Sequence, residues 1–332
     1  MGSTPPMIFA TLPEPSRLGD VLMAFLSILF EGAPYIMIGT LLSGVIDAFL
    51  PSKLLDRLLP RNKVVSTFMA GFLGLIFPVC ECAVVPVIRR LVQKGLPLSC
   101  ALTYMLSAPI MNPIVAVSTL TAFKEFQAVT GWMELGNATM TIARLSLGYT
   151  VAVIVGLIVL RFRPGQVLNA NIVGGIESAR AGGHAPKTTF NGKLVHAMRT
   201  AMRDFLDTGM YFTIGVIITS VFNTQVNQAI LDSVAGNEWL AIPSIMALAY
   251  VLSLCSTSDA FIAAPMAVFS QAAKLAFLVF GPMMDIKLMF MYAVVFRRRV
   301  VVLMLLGTFL LIAFLSNPWI SLVELLQTSS KP

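Results

Sequence analysis

The chain has 332 residues, 57% of them apolar and only 12% charged, about half the charged fraction of a soluble domain. Its formal charge of +7 does not signal nucleic acid, because the basic residues fall in short clusters between apolar runs, the pattern by which Lys and Arg orient a chain in a bilayer. These two facts exclude a soluble fold and a nucleic-acid binder, and leave the lipid bilayer as the expected surrounding.

Residues 1–19 lack the basic region, short apolar core and cleavage site of a signal peptide. The apolar segment at 21–50 is too long for one and is expected to remain in the mature chain. Membrane spans are expected at 20–49, 96–123 and 138–161, and again at 199–226, 274–296 and 300–320, each long enough to cross a hydrocarbon core. The stretch 139–160 carries one base, Arg144, and 300–315 carries no charge.

Self-similarity divides this series in two. EGAPYIMIG at 31–39 answers DTGMYFTIG at 207–215, an offset of 176; Cys80 answers Cys255 at 175; LTYMLSAPIMN at 102–112 answers LAFLVFGPMMD at 275–285 at 173. Three matches in one order point to a tandem duplication. The expected organisation is a tail (1–19), a first membrane repeat (20–161), a basic cytoplasmic linker (162–198), a second repeat (199–322) and a tail (323–332). Lys53, Arg57, Arg61 and Lys63, then Arg89, Arg90 and Lys94, and then Arg297, Arg298 and Arg299 are expected on the cytoplasmic side with the linker residues Arg161, Arg163, Arg180, His184 and Lys187. The loop 227–238 carries Asp232 and Glu238 and no base.

Between Lys63 and Lys94 both ends are basic, while the segment between them is apolar with a polar centre, FPVCECAVVP. A re-entrant hairpin keeps both ends inside, and Pro78 and Pro86 withdraw helix hydrogen bonds near its tip. Residues 239–271 break similarly at CSTSDAFIAAP. Three spans and a hairpin per half invert the second copy, giving an all-α polytopic fold of two inverted-topology repeats. Eight full crossings are the alternative, at the cost of placing a basic cluster outside.

The chemistry concentrates at these breaks. Cys80 and Cys82 flank Glu81; soft thiolates select soft or thiophilic species, and an acid at membrane depth marks a pathway or proton relay. A one-residue spacer is not the C-x-x-C of redox catalysts, and Cys100 reads as a small buried hydrophobe. The matching segment supplies Cys255, Ser256, Ser258 and Asp259, although its hydroxyls can also bond to their own helix backbone. If the tips face one another, three thiols and two acids converge. Pro109 with Asn112 answers Pro282 with Asp285; the prolines serve as hinges or as packing kinks, and Lys274 and Lys287 neutralise Asp285 or reach for the surface. Glu31 and Asp207, each with a Tyr one turn on (Tyr35, Tyr211), form a symmetric pair suited to coupling or gating, or simply to helix pairing. The 19 methionines read as packing rather than a copper ladder.

At these residues the chain resembles the predicted permeases related to ArsP and YraQ, through PVCECAVVPVIRRLVQKGLPLSCALTYMLSAPIMNP at 78–113 and LCSTSDAFIAAP with LVFGPMMDIK within 254–287. The resemblance implies a multi-pass permease of the cell inner membrane, whose best-described relatives export trivalent organoarsenicals with cysteines as thiol ligands. Ala83 stands where a Gly is common, which narrows the backbone of the turn. The expected function is a secondary permease for a small molecule or ion, without enzymatic activity, cofactor or resident metal, and open to homo-oligomerisation. No GxxxxGK[ST] phosphate loop is present. A membrane thiol-redox relay through Cys80 and Cys82, and a passive channel, are the rival readings.

Overall fold

The structure is a computed structural model describing residues 17–50, 60, 62–77, 79–130, 136–169, 172, 174, 190–223 and 238–329. The expectations placed on Pro78, on Lys53, Arg57 and Arg61, on 170–171, 173 and 175–189 of the linker, on 227–237 and on the outermost tails lie outside the described residues. Among those described, the chain is helical throughout, with one isolated bridge between Leu168 and Phe296.

In chain order the first half contains α1 (Arg17–Phe49), α2 (Lys63–Gly71), α3 (Leu73–Ile76), α4 (Glu81–Gln93), α5 (Leu98–Ser107), α6 (Pro113–Thr130) and α7 (Gly136–Val159). A short α8 (Pro164–Val167) follows, then α9 (Phe190–Asn223), α10 (Glu238–Leu252), α11 (Asp259–Ala263), α12 (Gln271–Met283), α13 (Ile286–Val295) and α14 (Arg298–Ser329). Among the described residues, five helices are long and apolar enough to cross a membrane, over Leu18–Phe49, Thr139–Val159, Phe190–Phe222, Gln271–Val295 and Arg298–Leu325. The segment expected to span at 96–123 is instead two helices, α5 and α6. After the last α5 residues the chain turns through Ala108–Met111, and the Asn112 carboxamide accepts from Ile114 N at 3.0 Å to start α6, with Pro113 at its first position. The helix α9 begins at Phe190, inside the stretch read as linker.

The outward faces of α1, α9 and α14 are apolar: Leu18, Met23, Phe30, Met202, Leu206, Leu303, Leu310 and Phe314 are all more than half exposed. Water does not tolerate so large an apolar surface; lipid tails do. The centre belongs to α5 and α12, buried along most of their length.

Antiparallel packing of α1 on α9 depends on glycine. A Cβ on Gly44 would stand 2.3 Å from the Ala197 carbonyl oxygen, and one on Gly32 would meet the Phe212 ring at 2.3 Å. Gly39 and Gly215, which close the two repeated motifs, share one task. A Cβ on Gly39 would lie 2.7 Å from Ala83 Cα of α4, and one on Gly215 would lie 2.7 Å from Lys287 Cα of α13. Each glycine lets a helix carrying a buried charge come up against a long outer helix.

Among the described residues, the bases at Lys63 and at Arg90 and Lys94 gather at one end. Thr67 donates to Ser99 at 3.0 Å, so the start of α2 lies beside the connection following Lys94. Lys94 donates to the Asp47 carbonyl at 2.6 Å, near the end of α1. Arg90 holds Asp204 of α9 through two bonds, at 2.8 and 2.7 Å, and Ser43 adds a third at 2.6 Å. The chain after α7 returns to the same region as the start of α14: Asn169 N donates to Val295 O, and Arg297 N donates to Val167 O, both at 3.0 Å.

Candidate functional site

Two interruptions of the helices build the site. The first lies between α3 and α4, where Phe77 and Cys80 leave helical geometry and Glu81 opens α4. A carboxylate at that position faces the positive end of the helix dipole. Glu81 is 1% exposed and accepts from Ser256 Oγ at 3.1 Å, while Lys287 Nζ lies 3.6 Å from its other oxygen.

The second interruption follows α10. Ser253 adopts φ +48°, a left-handed conformation uncommon outside glycine. Three contacts hold it there: its N–H donates to Ala249 O, its hydroxyl donates to Tyr250 O, and its carbonyl accepts from Lys287 Nζ at 2.8 Å. The Lys287 ammonium thus closes the C-terminal, negative end of α10. It also stands 3.5 Å from Asp285, whose other oxygen caps α13 by accepting from Leu288 N at 2.6 Å. Two buried carboxylates therefore share one ammonium.

A narrow cleft of about 10 Å³, room for little more than one water molecule, lies at this meeting point. The first interruption contributes Cys80, Glu81 and Cys82, the second Cys255, and α13 Lys287. The outer wall is Ile28, Glu31, Gly32 and Tyr35 of α1 with Phe212 of α9. All four cysteines are free thiols, with Cys82 and Cys255 buried and Cys80 partly open. Among the described residues, no three of His, Cys, Asp and Glu stand close enough to hold a metal ion.

The structure thus brings Cys80, Glu81, Cys82, Cys255 and Glu31 to one cleft, with Ser256 bonded to its wall. Asp285 stands one step behind, through Lys287. Asn112 caps α6 and does not line the cleft, nor do Pro109 and Pro282. Asp207 is distant from Glu31 in role: its side chain is 54% exposed and pairs with Arg89 at 2.9 Å. Lys274 is buried and donates to Ala264 O at 3.0 Å.

Asp259 is engaged by the lone base of the apolar stretch 139–160, to which the sequence pattern assigns no role. Arg144 of α7, 1% exposed, meets Asp259 Oδ2 at 2.6 Å and also donates to Ser256 O at 3.1 Å and Thr119 Oγ1 at 2.7 Å. One sequence signal was available: a lone base inside an apolar run is costly and needs a partner.

The sequence pattern of a family described as predicted permeases matches residues 17–317. YcgR of Bacillus subtilis (strain 168), a UPF0718 protein, is 36% identical over 284 residues, covering 85% of this chain and 90% of its own. A protein of Streptococcus mutans serotype c (strain ATCC 700610 / UA159), named as a candidate subunit of a two-component membrane permease complex, is 34% identical over 290 residues, covering 86% and 90%. No solved structure matches the chain.

Proposed function

The chain belongs to the predicted-permease family, and from that premise we propose that it moves a small solute through the cleft between its two helix interruptions by alternating access. A multi-pass membrane permease, a transporter rather than an enzyme, follows from the family and its apolar helices. The carrying observation for the finer reading is the Ser256–Glu81 hydrogen bond, which joins the two interruptions at a cleft lined by Cys80, Cys82 and Cys255.

Duplicated contacts support reading the halves as inverted repeats. A Cβ on Gly74 would lie 2.7 Å from Ala108 Cα, and one on Gly281 would lie 3.6 Å from Ala249 Cβ; Ala249 follows Gly74 by 175 residues and Gly281 follows Ala108 by 173. Opposed half-helices meeting around substrate are the working parts of many secondary transporters. The three thiols favour a thiophilic solute such as a trivalent organoarsenical as substrate. With two carboxylates on one ammonium, a proton or cation completes the charge balance and couples release. The membrane is the bacterial inner membrane, and a second subunit, as the name of the Streptococcus relative suggests, is a natural partner.

Reconstituted protein given methylarsenite and a proton gradient tests this. Saturable arsenic accumulation is expected, lost in the Cys80→Ser, Cys82→Ser double variant. Absence of arsenic movement under any gradient overturns the arsenical substrate. Unsaturable flux indicates a passive channel, and dependence on an added thiol donor indicates the redox relay.

A further inference from the structure

We infer that Arg144 is a positioning residue for the cleft: it holds the turn after α10 so that Cys255 and Ser256 face Glu81. The guanidinium gathers three acceptors from two separate stretches of chain. These are the Thr119 hydroxyl on α6, the Ser256 carbonyl in the turn, and the Asp259 carboxylate opening α11. Ser118, next to Thr119, donates to the Thr257 carbonyl, so two consecutive α6 residues support the same turn. Ser256 is consequently fixed at both ends, its carbonyl by Arg144 and its hydroxyl by Glu81.

The pairing geometry separates this role from a plain structural ion pair. Arg and a carboxylate left to themselves form two parallel hydrogen bonds. Here Arg144 Nε and Asp259 Oδ1 are both buried without a hydrogen-bond partner. The guanidinium forgoes the second leg to Asp259 while its NH2 group also reaches the Ser256 carbonyl. Its position is set by the turn as well as by the charge it neutralises. Lysine cannot replace it, because a single ammonium on a flexible stem does not present donors in a planar fork.

The inference deepens the permease reading of the cleft, but its test reads thiol chemistry and not transport, so either can fail alone. Purified full-length protein in nanodiscs is treated with N-ethylmaleimide, and alkylation of each cysteine is followed by mass spectrometry. The variants are Arg144→Met, which removes charge and donors, and Arg144→Lys, which keeps the charge. Losing a hydrogen bond to a charged group shifts a local opening equilibrium by about tenfold or more, so Cys255 alkylation is expected to accelerate by that factor in both variants. Cys100, fully buried beside Ser66, should keep its wild-type rate. Cys255 rates unchanged in both variants overturn the assignment. So does Cys100 accelerating in step with Cys255, since Arg144 would then pin the whole bundle rather than the turn.

Discussion

Replacing Lys287 with Met tests the electrostatic core of the site without requiring a substrate. The ammonium is 4% exposed and lies 3.6 Å from Glu81 and 3.5 Å from Asp285. At an effective dielectric of about 20, each such contact is worth roughly 4–5 kcal/mol of attraction, set against the desolvation of the groups involved. Measured losses on removing one partner of a buried pair run at about 3–5 kcal/mol. The Ser253 carbonyl, stripped of its 2.8 Å bond, adds about 1–3 kcal/mol. Methionine preserves most of the volume, so little of the cost is cavity. Lys287→Met is therefore expected to lose about 5 kcal/mol in detergent–SDS unfolding followed by circular dichroism. Adding Glu81→Gln removes one orphaned carboxylate and should restore about half of that loss. A single variant within about 1 kcal/mol of wild type would refute the reasoning, because that is the scale of a solvated pair.

Gly39→Leu and Gly215→Leu should each abolish a monodisperse folded peak in size-exclusion chromatography, whereas Gly307→Leu, which meets no atom within 4 Å, should leave it unchanged. Asp204→Ala and Asp207→Ala compare two acids on one helix face. The first, 1% exposed at its side chain and held by Arg90, should cost about 3 kcal/mol. The second, half-exposed, should cost under about 1 kcal/mol in the same unfolding assay. Cysteines placed at Lys63 and Lys94 should react with an impermeant maleimide from one side of the membrane and a cysteine at Glu238 from the other. Opposite accessibility for Lys63 and Lys94 would remove the inverted-repeat reading.

Local features were legible because their causes are local. Apolar length announced the long helices, whereas Asn112, read as a site residue within one span at 96–123, instead starts α6. The matched glycines at 39 and 215 were visible as a motif, but their task was not, since it depends on which helix lies opposite. Arg144 shows the limit most clearly. Its partners are 25, 112 and 115 residues away, and no spacing rule reaches so far. Asp207 matched Glu31 in sequence yet pairs with Arg89, because a surface carboxylate answers to the nearest base at its own end of the bundle. The break at Pro109 was expected as a hinge or a packing kink inside one span; the end of α5 at Ser107 and the Asn112 cap make it a boundary between two helices.

The clasp between 167–169 and 295–297 is made largely of main-chain groups, with the Asn169 carboxamide reaching the Ala293 and Val294 carbonyls. Peptide groups are the same in every residue but proline, so these main-chain bonds do not depend on side-chain identity, although the buried Val167, Leu168, Val295 and Phe296 must still fill their places. Length is another matter. One inserted residue would put every donor out of step with its acceptor, and the chain leaving α7 would lose its mooring to the start of α14. At this point the number of residues is held by the backbone itself, whichever apolar side chains fill the space around it.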